Sequence, residues 1–93
     1  MKMVINCCFG GYSLSEKAME MLGAESPYAY NEESRRSNPK LIEVVETLGD
    51  DANGMCANLE VVDIPEDITD LHITDYDGYE TVYYVLNGKI HTA

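Results

Sequence analysis

Two dipeptides near the end of the chain, Asp77-Gly78 and Asn87-Gly88, restrict its fold more than any other feature. Each accepts the positive φ that a two-residue hairpin turn demands. Each is flanked by runs rich in β-formers, LHITDY and YETVYYVL around the first, YYVL and KIHT around the second. A three-strand antiparallel meander is the expectation. A two-residue loop also sets register, pairing Tyr76 with Tyr79, Asp75 with Glu80, Thr74 with Thr81, Ile73 with Val82, His72 with Tyr83 and Leu71 with Tyr84. One face then carries Leu71, Ile73, Val82, Tyr84 and Leu86 and is the expected core face. The other carries His72, Thr74, Tyr76, Tyr79, Thr81 and Tyr83, a polar and aromatic surface. Asp75 and Glu80 come out opposed, which predicts an acidic hairpin tip.

Upstream, Lys2 to Cys8 (KMVINCC) is an apolar run of β-formers that reads as a central strand covered on both faces, ended by Gly10-Gly11. A helix of about two turns follows, with Ser13 or Ser15 as its N-cap, Ala18, Met19 and Leu22 on its apolar face and Gly23 as its stop. Ala24 to Ser37 lacks any period and reads as a loop, long for a small domain and so functional or mobile. Asn38-Pro39 then supplies an N-cap and a first helical residue. Leu41, Val44, Val45, Leu48 and Ala52 form one stripe, so this helix is expected to run past Gly49 and stop at Asn53-Gly54. Asn58 to Ile64 is a second strand, ended by Pro65. The pattern is α+β, two short helices packed on one face of a mostly antiparallel sheet with a C-terminal three-strand meander. With 93 residues and 45% apolar content, it reads as a single compact domain over residues 1–93.

The formal charge is −11, divided unevenly. Up to Glu46 there are seven acidic and five basic residues, whereas from Thr47 onward ten acidic residues face only Lys89. Such a field repels nucleic acid and anionic membranes and speeds encounter with basic protein surfaces. The charge peaks in Asp63 to Glu80, where Asp63, Glu66, Asp67, Asp70, Asp75, Asp77 and Glu80 stand with no Lys or Arg among them. Interleaved Ile64, Ile68, Leu71 and Ile73 make this a folded acidic surface and not a solvated tail.

Sites for chemistry are weakly marked. Cys7 and Cys8 are adjacent, so in a strand they point to opposite faces; with no CxxC and no spaced His pair, neither metal nor any other cofactor is expected. Their apolar surroundings oppose thiol activation. Three cysteines and no leader-like start fit reduced thiols and a cytoplasmic protein. No nucleophile and base can be placed, and an enzyme is not expected. Arg35 and Arg36, just ahead of the helix N-terminus at Asn38-Pro39, form an alternative anion site able to hold a phosphate or nucleotide, or else pair with Glu32, Glu33 or the acidic sheet.

Three stretches, MKMVINCCFGGYSLSEKAME, SNPKLIEVVETLGDDANGMCANLEVVDIPEDI and ITDYDGYETV, resemble a family of small phage and prophage proteins. Its members open with a similar strand, Cys, Gly-Gly and Leu-Ser, and continue through an N-P-x-L-x-x-V-V-E helix to a V-V-x-I-P-x-D strand and a Y-D-G turn. The resemblance omits Ala24 to Arg36, where family members usually carry a longer insertion, and the tail after Tyr83. It implies a mobile-element protein acting inside a bacterial cell.

The resulting expectation is a non-enzymatic inhibitor of a host defence protein, similar in style to anti-CRISPR proteins, whose acidic face imitates nucleic acid. A row of carboxylates would occupy Lys and Arg that normally neutralise phosphates, and tyrosines would supply buried anchors. The expected contact residues are Asp63, Glu66, Asp67, Asp70, Asp75, Tyr76, Asp77, Tyr79, Glu80 and Tyr83. The expected partner is a basic, nucleic-acid-binding effector such as a CRISPR nuclease, with no direct contact to nucleic acid or membrane and the oligomeric state left open. The alternative is a binder of a nucleotide signal through Arg35, Arg36 and the helix N-terminus.

Overall fold

A computed structural model describes residues 1–93 as five strands, two α-helices and two short 3-10 turns. The strands are β1 (Lys2–Asn6), β2 (Leu59–Asp63), β3 (Asp70–Tyr76), β4 (Tyr79–Leu86) and β5 (Lys89–Thr92); the helices are α1 (Glu16–Leu22) and α2 (Pro39–Leu48). The fold is α+β, and its strands divide into two antiparallel sheets, β1-β2 and β3-β4-β5.

Alternation along β1 explains the layering. Val4 packs with Leu14, Ala18, Leu22, Leu41, Val44, Val45 and Leu59, filling the space between the β1-β2 ribbon and the helices. Met3 and Ile5 turn the other way and join Ile64 and Val82 of the meander in a second, smaller core. Met3, Val4 and Ile5 are 1%, 0% and 3% exposed, so the ribbon is the middle layer of three, as its unbroken apolar run implies.

The helices start where their caps dictate. Ser15 Oγ accepts from the Ala18 amide at 3.1 Å, and Gly23 closes α1 in the left-handed region at φ 67. Ser13, the other candidate cap, instead donates to the Met55 carbonyl at 3.2 Å. Asn38 Oδ1 accepts from the Lys40 and Leu41 amides at 2.9 and 3.4 Å, opening α2 at Pro39. The end of α2 departs from expectation: it stops at Leu48, and the chain continues as a 3-10 turn over Gly49–Ala52. Gly49 takes φ 56, and the tighter winding still buries Ala52 while presenting its carbonyl to the Ser15 amide at 2.9 Å. Gly49 at positive φ ends the helix, and the turn that follows joins α2 to the start of α1.

The meander has the register its turns demand. Tyr76 faces Tyr79, Asp75 faces Glu80 and the pairing continues to Asp70 opposite Val85. Asp77 and Asn87 both sit at φ 52, each followed by a glycine at positive φ. Val82 is buried and Leu71, Ile73 and Tyr84 pack against the second core, while Leu86, expected beside them, is half-buried and outside it. No helix is long and apolar enough to cross a membrane.

Candidate protein-binding surface

The hairpin tip is docked on the protein and does not project from it. The Gly10 amide donates to the Asp77 carbonyl at 2.9 Å, and Asn6 Nδ2 donates to the Gly78 carbonyl at 2.6 Å. A Cβ on Gly78, at φ 91, would lie 2.1 Å from the Gly11 nitrogen, so only glycine permits this approach. This contact brings Phe9, in the turn after β1, against the tyrosines of the hairpin. Its ring centroid is 6.3 Å from that of Tyr76 and 5.5 Å from that of Tyr79. Tyr83 follows two rungs further along the same face.

The outcome is an aromatic surface open to solvent. Phe9 is 60% exposed, Tyr76 75%, Tyr79 42% and Tyr83 38%. Together with Thr74 and Thr81, which pair across β3 and β4, these rings line a groove of about 400 Å³ bordered by Asp75. The Asp75 carboxylate is tied to the turn, accepting from the Gly78 amide at 2.7 Å. The three tyrosines thus lie where alternation placed them. Phe9 was missed; its signal was being the only phenylalanine of the chain and standing next to a Gly-Gly turn.

Two candidate residues are not on the surface at all. Glu80, expected at an acidic tip, is 6% exposed, and Arg36, expected at an anion site, is 2% exposed. They pair with each other, Arg36 Nη1 to Glu80 Oε1 and Nη2 to Oε2, both at 2.7 Å. The reason is parity: in β4, Glu80 shares the inward face with Val82, so its carboxylate enters the protein and requires a buried partner. The Asn6 amide also donates to Glu80 Oε1, at 2.7 Å. Arg36 completes its fork on Val4 O at 3.1 Å, Asn31 O at 2.9 Å and Asn31 Oδ1 at 3.0 Å, so each of its five N–H groups has an acceptor. Its guanidinium lies 4.2 Å from the Tyr12 ring centroid.

This network also orders Ala24 to Ser37, most of which is turn and bend, with a 3-10 turn over Glu33–Arg35. The Leu14 amide donates to Pro27 O and the Tyr12 hydroxyl to Ala29 O, both at 2.8 Å. The Arg36 carbonyl accepts from the Val4 amide at 2.9 Å, so one residue covers the open edge of β1 with backbone and side chain alike. Burial pushes the Tyr12 phenol up, against the opposing pull of Arg36. The proposed anion site therefore loses its better residue. Arg35 is exposed and lies 5.7 Å over the Tyr30 ring, while Asn38 itself occupies the first amides of α2.

The remaining carboxylates fall into two groups. Asp63 ends β2, Glu66 and Asp67 lie in the connection that follows and Asp70 opens β3, whereas Asp75 and Asp77 stand at the far end of that strand, about 20 Å away for six residues of strand. Glu66 pairs with the Met1 amino group at 3.0 Å and Asp70 with His72 at 3.1 Å, whereas Asp67 and Asp77 are exposed. They do not form one continuous row.

Cys7 is half-buried, and burial followed by nearby Glu60 pushes its thiol up to about 12. No three His, Cys, Asp or Glu side chains gather in a way that would hold a metal ion. Comparison with family models, curated proteins and solved structures gives no match to this chain.

Proposed function

We propose that this chain is a non-enzymatic module that docks a basic protein on the outer face of its C-terminal hairpin. The observation that carries this reading is the exposed cluster of Phe9, Tyr76, Tyr79 and Tyr83 on a chain of net charge −11. Aromatic side chains are the usual anchors of protein interfaces, and four of them held together at this exposure favour contact with a partner. The acidic field supplies fast encounter and selects against anionic competitors. The partner proposed is a nucleic-acid-binding defence protein of a bacterial host, such as a CRISPR nuclease, whose nucleic-acid site the module occupies. The expectation of a phage or prophage origin and the acid-rich hairpin are the grounds for proposing that class.

The contact set is correspondingly revised. Tyr76, Tyr79, Tyr83 and Phe9 anchor, Asp75 and Asp77 supply charge beside them, and Asp63, Glu66, Asp67 and Asp70 steer from further off. Glu80 takes no direct part.

The test uses purified CRISPR nucleases and other DNA-binding defence enzymes, each assayed for DNA binding with and without the chain. Displacement of DNA from one of them is expected. A Phe9→Ala/Tyr76→Ala variant should need at least about tenfold more protein for the same effect, matching loss of two interface anchors. Asp75→Lys/Asp77→Lys should mainly slow association. Failure to displace DNA from any of these enzymes, or displacement untouched by all four substitutions, overturns the proposal.

A further inference from the structure

We infer that the aromatic groove is the seat for an arginine side chain projecting from the partner, an inference that rests on the reading of this face as a docking surface. The groove has rings for walls and the paired Thr74 and Thr81 for a floor. Phe9 meets Tyr76 at 71° and Tyr79 at 50°, so the rings are inclined and do not stack over one another. An edge-to-face contact covers at most one face of one ring, and with Tyr76 75% and Phe9 60% exposed, ring face remains turned to solvent, where the negative side of the aromatic quadrupole attracts a cation laid over it.

Charge decides among occupants. Six basic residues stand against seventeen acidic ones in the whole chain, and none of the six lines the groove. Asp75 borders it and Asp77 is exposed in the adjoining turn. An anionic group entering here meets the field of the whole protein, with Asp75 and Asp77 close by at the strand end and turn. A neutral aliphatic side chain gains contact with the rings but nothing from the field. Between the two cationic side chains, the guanidinium is planar and weakly hydrated, so it lies flat on a ring while its N–H groups reach the threonine hydroxyls. Lysine, a compact and strongly hydrated point charge, loses more water for less contact.

The same protein already holds an arginine this way. Arg36 lies 4.2 Å from the Tyr12 centroid with a carboxylate beside it. The groove offers tyrosine and phenylalanine rings beside Asp75 to an arginine from outside.

The experiment titrates N-acetyl-arginine N-methylamide, and the lysine, citrulline and leucine equivalents, into the full chain while amide NMR spectra are recorded. Saturable shifts centred on Thr74, Tyr76 and Thr81 are expected for arginine. Citrulline, which has the shape without the charge, should bind roughly three- to tenfold more weakly. Tyr76→Ala, at an exposed position that leaves the rest of the spectrum in place, should reduce arginine affinity by a similar factor. Equal binding of citrulline or leucine, or shifts spread evenly over Asp50, Asp51 and Glu66, overturns the arginine seat. Loss of arginine selectivity while Tyr76→Ala still weakens DNA displacement refutes this inference alone. Displacement that ignores Tyr76→Ala refutes the docking surface beneath it.

Discussion

Replacing Glu80 by alanine removes three hydrogen bonds at once, two from Arg36 and one from the Asn6 amide. The guanidinium left behind is 2% exposed and keeps only Val4 O, Asn31 O and Asn31 Oδ1 as acceptors. Three uncharged acceptors do not neutralise a buried cation. Breaking a buried pair from one side costs about 3–5 kcal/mol, set against roughly 5–14 kcal/mol of total stability for a domain of this size. At about 4–8 °C per kcal/mol, the smallest loss lowers Tm by roughly 12 °C. Urea unfolding followed by circular dichroism gives the free energy, and an unchanged slope shows that the same surface is exposed. Arg36→Met leaves the carboxylate with only the Asn6 amide and should cost a similar amount. The Arg36→Met/Glu80→Ala pair should then be better than the sum of the singles by at least about 2 kcal/mol, because no charge remains unpaired. A loss below about 1 kcal/mol for Glu80→Ala, or strict additivity in the cycle, would refute the claim that this pair joins the loop, β1 and the hairpin.

Three other perturbations test local claims. Gly88→Ala at φ 76 has open space and should cost only about 1–2 kcal/mol by urea unfolding, whereas Gly78→Ala also drives its Cβ into the Gly11 nitrogen. The excess loss at Gly78 measures the docking of the hairpin tip; equal losses would mean that the tip is free. Asn38→Ala should cost about 1 kcal/mol in the same assay by uncapping α2, and no loss would show that Asn38 is not the cap. Burial raises the Cys7 thiol from 9.0 to about 12, so the folded state holds that proton more tightly than the unfolded chain. The stability it contributes is whole below about pH 9 and is lost as the pH rises toward about 12, with the raised Tyr12 phenol acting in the same direction. Urea midpoints should therefore fall through that window, and mass spectrometry after alkylation near pH 8 should find exposed Cys56 modified well before Cys7.

The aromatic surface was legible because it follows from period and turn geometry. Once Asp77-Gly78 and Asn87-Gly88 are two-residue turns, Tyr76, Tyr79 and Tyr83 have no choice of face. Parity also assigned Glu80 to the side of Val82, but its charge argued for solvent and outweighed that assignment in the reading of the tip. The anion-site reading of Arg36 fails for the same reason, while the other reading, pairing with the acidic sheet, holds through Glu80. A charged side chain is buried only when a partner meets it, and this pair is separated by 44 residues. Phe9 belongs to the same class of miss, since its value as a contact residue depends on a hairpin placed beside it by Gly10, Gly11 and Gly78.

What the chain determines residue by residue is therefore its local geometry: Ser15 and Asn38 start helices, Gly23 stops one, and two glycine turns set the meander register. These are interactions between neighbours in sequence, and they need no knowledge of the rest of the fold. The division of the strands into two sheets, the burial of Arg36 with Glu80, the joining of the turn after α2 to the start of α1 and that of Phe9 to the tyrosines arise from contacts across long loops. Each depends on which surfaces meet in space, and desolvation assigns a buried charge its role only after that meeting.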